Sequence, residues 1–228
     1  MPDASKSDSV VFIVDDNADV RDGLSALVET VGLRCETFES GSKFLQRKLT
    51  DEASCLILDV RMPGTSGLDF QTELANAQIH IPIIFITGHG DVPMSVKAMK
   101  AGAVEFLTKP LREQDILDAV RVALERDRKR REQDKELRAL KSRFEKLTDR
   151  ERDVMVHVAA GLLNKQTAAA LDVSEVTVKV HRHNLMTKLE AKSVAQLVRM
   201  ADTLGITPQM RKNLNQSISL LYLPHAEK

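Results

Sequence analysis

Four short apolar segments in the first half of the chain each end at a polar side chain, and this pattern constrains the fold most. The segments are residues 10–14, 56–58, 83–86 and 104–107, followed by Asp15 and Asp16, by Asp59, by Thr87 and by Lys109. Apolar runs of this length, bounded by Gly and Pro, predict buried strands. Helical patterns separate them, and a weaker strand at residues 34–38 completes five strand–helix units. Residues 9–125 are therefore predicted to form a doubly wound α/β domain with a five-stranded parallel sheet.

The polar side chains are expected to meet, because the carboxyl ends of parallel strands share one edge of a sheet. Three carboxylates in one place repel one another and need a cation, and hard oxygen ligands favour Mg²⁺. A carboxylate beside such an ion can attack phosphorus to form an aspartyl phosphate, while a lysine and a hydroxyl stabilise the phosphoryl oxygens. Taken singly, the acid pair could be a solvated loop and Lys109 a surface lysine. Suitable groups at all four strand ends favour a phosphoryl site instead.

The formal net charge is zero, but the charge is unevenly distributed. Residues 1–124 contain 12 Lys and Arg against 19 Asp and Glu, whereas residues 125–228 contain 21 against 14. This asymmetry predicts cation chemistry in the first half and a polyanionic partner for the second. Cys35 and Cys55 are expected to be free, buried thiols. With no signal peptide and no apolar run of about 18 residues, the chain is predicted to be cytoplasmic, with no membrane association.

Residues 126–147 are predicted to form a helical linker, and residues 1–8 a disordered tail. The linker begins with an almost entirely charged stretch, which indicates a solvated helix continuing from the first domain. Its basic cluster at residues 128–131 is interpreted as a solvated face rather than a DNA contact. Four apolar residues then repeat at helical spacing: Leu137, Leu140, Phe144 and Leu147. They are consistent with a coiled-coil seam between two chains or with a helix packed on the second domain of its own chain, and both alternatives stay open.

Residues 148–206 are predicted to form an all-helical domain. Thr148 and Glu151 make a capping-box signature for its first helix. A short turn at residues 172–174 joins the second helix to the third, as in a helix-turn-helix. Four apolar residues of the third helix are expected to face the core: Val176, Val178, Leu185 and Leu189.

The other side chains of the third helix are largely basic or hydroxylic, and they suit DNA phosphates and base edges. An ordinary basic, solvated helix has the same pattern, so helix-turn-helix signals alone give false positives. A metal site at His181 and His183 is rejected, because no Cys or carboxylate lies at ligand spacing. Beyond this domain, residues 207–228 are predicted to be an extension, with Thr207 capping a helix and apolar residues at 218–223 packing on a domain or a partner chain.

Residues 9–125 resemble the receiver domain of two-component response regulators, which has a flavodoxin-like fold. The resemblance rests on the strand-end residues and on Met62-Pro63-Gly64, and the run from Thr87 to Met94 is similar to the FixJ subgroup. It implies Asp15 and Asp16 as metal-binding acids and Asp59 as the phosphoacceptor. It also implies a metal contact from the backbone carbonyl of Arg61, switch roles for Thr87 and Phe106, an invariant lysine at Lys109 and a cis-proline at Pro110.

The second half resembles the LuxR-type DNA-binding domain of FixJ/NarL-like regulators. The match is strong at Thr177-Val178-Lys179-Val180-His181, and it extends from residue 147 to residue 189. By family position, Lys179, Val180 and His183 are expected to face bases. Five further residues are expected to contact phosphates: Lys165, Thr167, Thr177, His181 and Lys188. His183 replaces a lysine found at that position in some members of the family.

Together the two resemblances imply a transcription regulator that is not an enzyme. A cognate sensor histidine kinase would phosphorylate Asp59 with Mg²⁺ as cofactor, and phosphorylation would drive homodimerisation and binding to promoter DNA. RNA polymerase is a further partner that this role implies. Thr87 would move toward the phosphoryl group and leave room for Phe106 to swing inward, which would change the surface used for pairing.

Two other function classes compete with this prediction. A phosphohydrolase could also act through an aspartyl phosphate, but haloacid-dehalogenase-like enzymes need a second acid two residues after the nucleophile, where this chain has Arg61. A receiver serving only as a phosphate sink is the other alternative, and the basic helix-turn-helix argues against it. A steep salt dependence of binding to random duplex DNA would separate the classes.

Overall fold

The computed structural model describes residues 9–48, 50–88, 90 and 92–206. These residues divide into two compact units, and the division falls between Glu132 and Gln133. The first unit alternates strands and helices, and the second is helical throughout its described residues, as the sequence predicts. The predicted tail at residues 1–8, the extension at residues 207–228, and His89 and Asp91 of the FixJ-like motif lie outside the described residues.

The first unit is built around a parallel sheet. Its strands are β1 (Ser9–Val14), β2 (Arg34–Phe38), β3 (Ala53–Asp59), β4 (Ile83–Thr87) and β5 (Glu105–Thr108). The spatial order is β2-β1-β3-β4-β5, which confirms the predicted doubly wound, flavodoxin-like topology. The pairing register sets Asp59 beside Ile86 and Thr87 beside Thr108, so the polar strand ends share one edge of the sheet.

Among the described residues of this unit, five helices cover the two faces of the sheet. They are α1 (Ala18–Thr30), α2 (Gly41–Leu45), α3 (Gly67–Asn76), α4 (Val92–Lys100) and α5 (Glu113–Glu145). Side chains at alternate strand positions point to opposite faces, so the sheet contributes to two separate cores. Phe12 and Phe85 pack with Phe44 of α2 on one face, whereas Ile13 and Ile57 pack in the core that includes α5 on the other. Helices on both faces are what a parallel sheet requires.

The first part of the predicted linker continues α5 as a largely exposed helix, as expected, but one of its acids is not solvated. Asp127 of α5 is fully buried and accepts a hydrogen bond of 2.9 Å from the backbone N–H of Ser54, at the start of β3. Arg130 and Arg131 pair with the same carboxylate. Much of the basic cluster is therefore engaged within the first unit, because a buried acid needs cationic partners. The burial of this acid was not predicted, and the first unit extends to Glu132, whereas the predicted domain ends at residue 125.

The part of the second unit that the structure describes contains four helices after the end of α5. They are α6 (Asp149–Ala159), α7 (Asn164–Leu171), α8 (Glu175–Lys188) and α9 (Val194–Thr203). The predicted capping box at Thr148 and Glu151 is present at the start of α6. Leu140 and Leu147 are buried in the core of this unit, and Phe144 packs against it. Of the two alternatives for these residues, the structure supports packing on the domain of their own chain.

Helix α8 departs from the prediction at one position. Val178, Leu185 and Leu189 are buried in the core of the second unit, as expected. Val176, which was predicted to face the core with them, is exposed to solvent. The reason is helical geometry, because Val176 lies two positions before Val178 and therefore on a different face of the helix.

Candidate functional site

Asp59 is the last residue of β3 and is almost entirely buried. One carboxylate oxygen, Oδ1, accepts a hydrogen bond of 3.0 Å from Nζ of Lys109, and Oδ2 accepts one of 2.7 Å from the backbone N–H of Arg61. Burial raises the pKa of the Asp59 carboxyl above its ordinary value, and the contacts with Lys109 only partly offset this. The neighbouring Asp15 carboxylate raises this pKa further. Asp59 is thus a buried acid whose negative charge is incompletely compensated.

Asp15 shares the same lysine. Its side chain is fully buried, with Oδ2 2.9 Å from Nζ of Lys109 and Oδ1 accepting a hydrogen bond of 2.8 Å from the backbone N–H of Asn17. Burial alone would lower the pKa of the Lys109 ammonium, but its hydrogen bonds to Asp15 and Asp59 outweigh burial and raise it. Asp16, the next residue along the chain, is exposed. One cation therefore serves two buried carboxylates, so the cluster keeps excess negative charge.

The carboxylates of this cluster are the side chains available to bind the predicted magnesium ion. Within the described parts of the chain, no three His, Cys, Asp or Glu side chains are grouped closely enough to hold a metal as they stand. Mg²⁺, however, usually takes only one or two carboxylates and fills its remaining positions with water and phosphate oxygens. Asp15 and Asp59 supply two hard oxygen ligands that converge on one point, where Lys109 now lies. The residues present fit a magnesium ion.

Thr87, Phe106 and Gly90 lie at the adjacent strand ends. Thr87 is fully buried at the end of β4, and its carbonyl oxygen accepts a hydrogen bond of 2.7 Å from the backbone N–H of Lys109. The ring of Phe106 is half-buried, with its centroid 6.2 Å from that of Phe85. Gly90 fits against this ring, since a Cβ at position 90 would lie 2.9 Å from its Cε1 atom. The structure also has the predicted cis peptide bond between Lys109 and Pro110.

Sequence reasoning missed residues that support the site. Gly67 begins α3 against the end of β3, and a Cβ there would collide with the carbonyl oxygen of Asp59. Asn17 caps α1 and donates its N–H to Asp15, and Arg21 donates a hydrogen bond of 2.7 Å to the Asp15 carbonyl oxygen. The glycine in the loop after Asp59 was a visible signal of close packing, and the Asn before α1 was a visible cap signal. Nothing in the sequence indicated the role of Arg21.

The second unit presents the predicted DNA-contacting residues on and around α8. Four of them are exposed: Lys165, Lys179, Val180 and His183. Thr177 and His181 are half-buried. Arg182 fastens α8 to α7 by donating a hydrogen bond of 2.9 Å to Oδ1 of Asn164. The short turn between these helices ends α7 at Asp172, which adopts the left-handed conformation.

One of the predicted phosphate contacts needs correction, and another residue predicted to contact phosphate already forms an ion pair. Thr167 is fully buried, so its hydroxyl does not reach the surface where a phosphate would lie. Nζ of Lys188 lies 2.7 Å from Oε2 of Glu151, whose side chain is almost completely buried. Glu151 also closes the capping box of α6 through Thr148. Lys188 is thereby tied to the packing of α6 against α8, and Thr167 belongs to the interior.

Comparison with known families accounts for both units. Residues 11–121 match the family described as response regulator receiver domain, and residues 145–201 match bacterial regulatory proteins of the luxR family. Nodulation protein W of Bradyrhizobium diazoefficiens is 56% identical over 199 residues, which cover 87% of this chain and 88% of that protein. The chain belongs to the response regulators.

This response regulator is also 41% identical over 202 residues to the transcriptional regulatory protein FixJ of Rhizobium meliloti, covering 89% of this chain and 99% of that one. The solved structure of the response regulator StyR matches it with a TM-score of 0.76 at 47% identity, covering 85% of this chain and 98% of the StyR chain. The predicted family and fold class are therefore confirmed. The chain combines a receiver domain with a LuxR-type DNA-binding domain, as a phosphorylation-activated transcriptional regulator. No helix among its described residues is long and apolar enough to cross a membrane.

Proposed function

We propose that Asp59 accepts a phosphoryl group from a sensor histidine kinase and that this reaction switches promoter binding by the second domain. The observation that carries the proposal is the shared lysine, because two buried carboxylates compete for Nζ of Lys109. Such a cluster gains from any added cation, and it places a nucleophilic oxygen beside a donor for phosphoryl oxygens. The proposed partners, a kinase and promoter DNA, imply that the protein works in the cytoplasm.

In the proposed reaction, a carboxylate oxygen of Asp59 attacks the phosphorus of a phosphohistidine. A new O–P bond forms as the P–N bond breaks, and the departing imidazole nitrogen takes up a proton. Lys109 moves its ammonium toward the developing charge on the phosphoryl oxygens. Asp15, Asp16, Asp59 and the backbone carbonyl of Arg61 are the residues proposed to hold magnesium. When bound, the ion neutralises the carboxylates and the phosphoryl oxygens.

Labelling with radioactive acetyl phosphate tests this assignment. Wild type should be labelled in the presence of Mg²⁺, and Asp59→Asn, which keeps the shape but removes the nucleophile, should not. The matched control is Asp51→Asn, since Asp51 is a highly exposed acid that precedes the opposite end of β3. Its labelling should equal that of wild type. Equal labelling of Asp59→Asn would show that another residue accepts the phosphoryl group.

The proposed switch uses Thr87 and Phe106. A hydrogen bond from Thr87 to the phosphoryl group would leave space beneath β5 for the half-buried Phe106 ring, and close contact with Gly90 couples that ring to the loop after β4. Thr87→Ala is expected to accept phosphate at nearly the wild-type level, yet to show little gain in DNA affinity. The readout is DNA binding with and without beryllofluoride, a stable mimic of the acyl phosphate.

Pairing of two receivers is proposed to follow, through α4. Three large apolar side chains are exposed on this helix, Val92, Val96 and Met99, at spacings of four and three residues. Such a stripe supports a partner surface, because exposed apolar residues at helical spacing lie on one face. Val96→Lys should block the increase in mass that beryllofluoride is expected to cause in light scattering. Val31→Lys, at an exposed valine after α1, is the control that should still pair.

For DNA, we propose that Lys179, Val180 and His183 face base edges, while Lys165, Thr177 and His181 contact phosphates. The exposure of Lys165 and Lys179 and the basic character of the unit support this assignment. Lys165→Ala should weaken binding to all duplexes alike and lower the salt slope by about one unit. Lys192→Ala, at an exposed lysine just before α9, is the matched control. An unchanged slope for Lys165→Ala would remove that residue from the interface.

A further inference from the structure

Two exposed valines on α8 are not explained by the fold. Val176 is 69% exposed and Val180 is 53% exposed. They are four residues apart, so they lie on one face of the helix, about 6 Å apart along its axis. The core of the second unit uses other residues of this helix, Val178 and Leu185.

Local stability does not account for these valines either. β-Branched residues are weaker helix formers than Ala, Glu, Lys or Arg, because the preceding turn restricts their χ1 angle. The helix already has a capped start, where the Ser174 hydroxyl accepts a hydrogen bond of 3.0 Å from the Thr177 N–H. An exposed valine in the first turn of α8 therefore gives the helix neither burial nor propensity. Contact with a ligand would supply the burial that the fold does not.

The surroundings of the two valines identify the chemistry of that ligand. Lys179 and His183 are exposed on the same helix, and Lys165 is exposed on α7. A surface of this charge favours a polyanion. Two valine side chains alone are too small for a stable protein interface, which needs about 1,000 Å² or more. A ligand that is anionic overall but carries small apolar groups at close spacing is required, and duplex DNA has such groups in the thymine 5-methyls of its major groove.

We propose that Val176, together with Val180, contacts the 5-methyl groups of two thymines in the major groove, and thereby selects for A·T pairs in each half-site. The inference rests on the proposed DNA-binding role of α8 and adds Val176 to the residues that read sequence. One or two base-pair steps span roughly 3.4–6.8 Å, which matches the spacing of the two side chains along the helix. The polar contacts of Lys179 would then fix the register, and the valines would reject cytosine, which lacks the methyl group.

The test pairs methyl groups removed from the protein with methyl groups removed from the DNA. The full-length protein, activated with beryllofluoride, is first used to select duplexes from a randomised library. Each thymine of the selected duplex is then replaced singly by deoxyuridine, which lacks only the 5-methyl group. Wild-type affinity should fall about fourfold at two neighbouring positions of each half-site, the amount expected for one methyl group taken from a buried contact.

The variant Val176→Ala should bind the unmodified duplex about three- to tenfold more weakly. It should also become insensitive to deoxyuridine at one of the two positions while keeping its response at the other, because coupling is confined to groups in contact. Val194→Ala is the matched control, since Val194 is an exposed valine, 39% accessible, in the first turn of α9. It should behave like wild type at every position. Equal thermal unfolding of the three proteins shows that the differences arise at the DNA.

Two results would overturn the inference alone, and a third would also overturn the proposed DNA-binding function. If no deoxyuridine replacement weakens wild type, or if Val176→Ala keeps the full wild-type response at every position, the valines do not read thymine. In either case the proposed function survives, because the duplex still binds. If no duplex is enriched from the library, sequence-specific DNA binding itself fails, and the role of Val176 fails with it.

Discussion

Each unit contains a lysine that forms an ion pair with a buried carboxylate. The two sites differ in how completely the lysine neutralises the negative charge. In the receiver, Lys109 is shared between Asp15 and Asp59, and the pKa of Asp59 is raised because burial exceeds the stabilisation that the lysine provides. In the second unit, Lys188 pairs with a single acid among the described residues, Glu151. Burial by itself would raise the pKa of Glu151, but hydrogen bonds from Lys188 and Thr148 outweigh it and hold this pKa below its ordinary value.

The difference separates a reactive cluster from a structural one. A buried carboxylate whose hydrogen-bonding groups all have partners stabilises the fold, and its oxygens are not available to bind a metal ion or attack phosphorus. A buried carboxylate that shares its cation is held at a cost in stability, and it gains when a metal ion or a phosphoryl group brings new partners. Lys109 was predicted from its position at a strand end to stabilise phosphoryl oxygens, and Lys188 was predicted from family position to contact DNA phosphates. The shared ion pairs of Lys109 agree with the first prediction, whereas the ion pair with Glu151 gives Lys188 a packing role.

The largest expected effect is that of Lys109→Ala on phosphorylation. The substitution removes the donor proposed to stabilise the phosphoryl oxygens, so labelling by acetyl phosphate should slow about 10²–10³-fold. Lys100→Ala, at an exposed lysine that ends α4, is the control. Labelling of Lys109→Ala at the wild-type rate would mean that Lys109 is only a counter-ion.

Adding Asp15→Asn to Lys109→Ala separates stability from chemistry. Lys109→Ala alone leaves two buried carboxylates without their cation, and breaking such a pair costs about 3–5 kcal/mol. The amide at position 15 can still accept the Asn17 N–H while removing one of the two charges. The double variant should therefore regain part of the lost stability in thermal unfolding, yet its labelling should stay at least as slow as that of Lys109→Ala. No recovery of stability would show that repulsion between Asp15 and Asp59 is unimportant.

Lys188→Ala should affect stability more than DNA binding. It leaves Glu151 buried without its cation, and the expected cost is about 1–2 kcal/mol, because Lys188 is 36% exposed and water replaces part of the contact. Thermal unfolding should show this loss, whereas the salt slope of DNA binding should stay near that of wild type. Lys165→Ala should give the reverse result. A reduced salt slope with unchanged stability for Lys188→Ala would restore the original phosphate assignment.

These contrasts show which features of the structure could be predicted from the sequence and which could not. The strand-end residues were predictable because a parallel sheet brings the ends of distant strands to one edge, whatever the details of packing. The ion pair between Lys188 and Glu151 was not predictable from the sequence. A lysine at the end of a helix and a glutamate in a capping box are each common for local reasons, so neither residue indicated a distant partner. Asp127 was hidden in a charged stretch, where burial depends on tertiary packing. The position of Val176 was mistaken because it was grouped with its apolar neighbours rather than placed by helical angle.

Acid should weaken the second unit through Glu151. A group whose pKa is lowered in the folded state contributes stability above its unfolded pKa, near 4.5, and this contribution disappears as the pH falls through the folded value. The protection of α6 amides from hydrogen exchange, measured relative to the intrinsic exchange rate at each pH, should therefore fall below about pH 4.5 in wild type. In Glu151→Gln the loss of protection should be smaller, because the amide does not titrate. An identical pH response in both proteins would place the acid-sensitive group elsewhere.

The smallest effect is expected at an exposed pair on α8. Lys179 and Glu175 are separated by 3.2 Å and four residues, with both side chains largely accessible. Exposed helical pairs contribute only about 0.3–0.5 kcal/mol, since water screens the charges and both side chains lose rotamer freedom. Glu175→Gln should therefore change thermal unfolding very little. It should also release Lys179 and remove a negative charge near the proposed phosphate contacts, so DNA affinity should rise by a few-fold at low salt and converge with wild type at high salt. If Glu175→Gln destabilises the unit as much as Lys188→Ala, burial of the acid is not what distinguishes a stabilising pair from a superficial one.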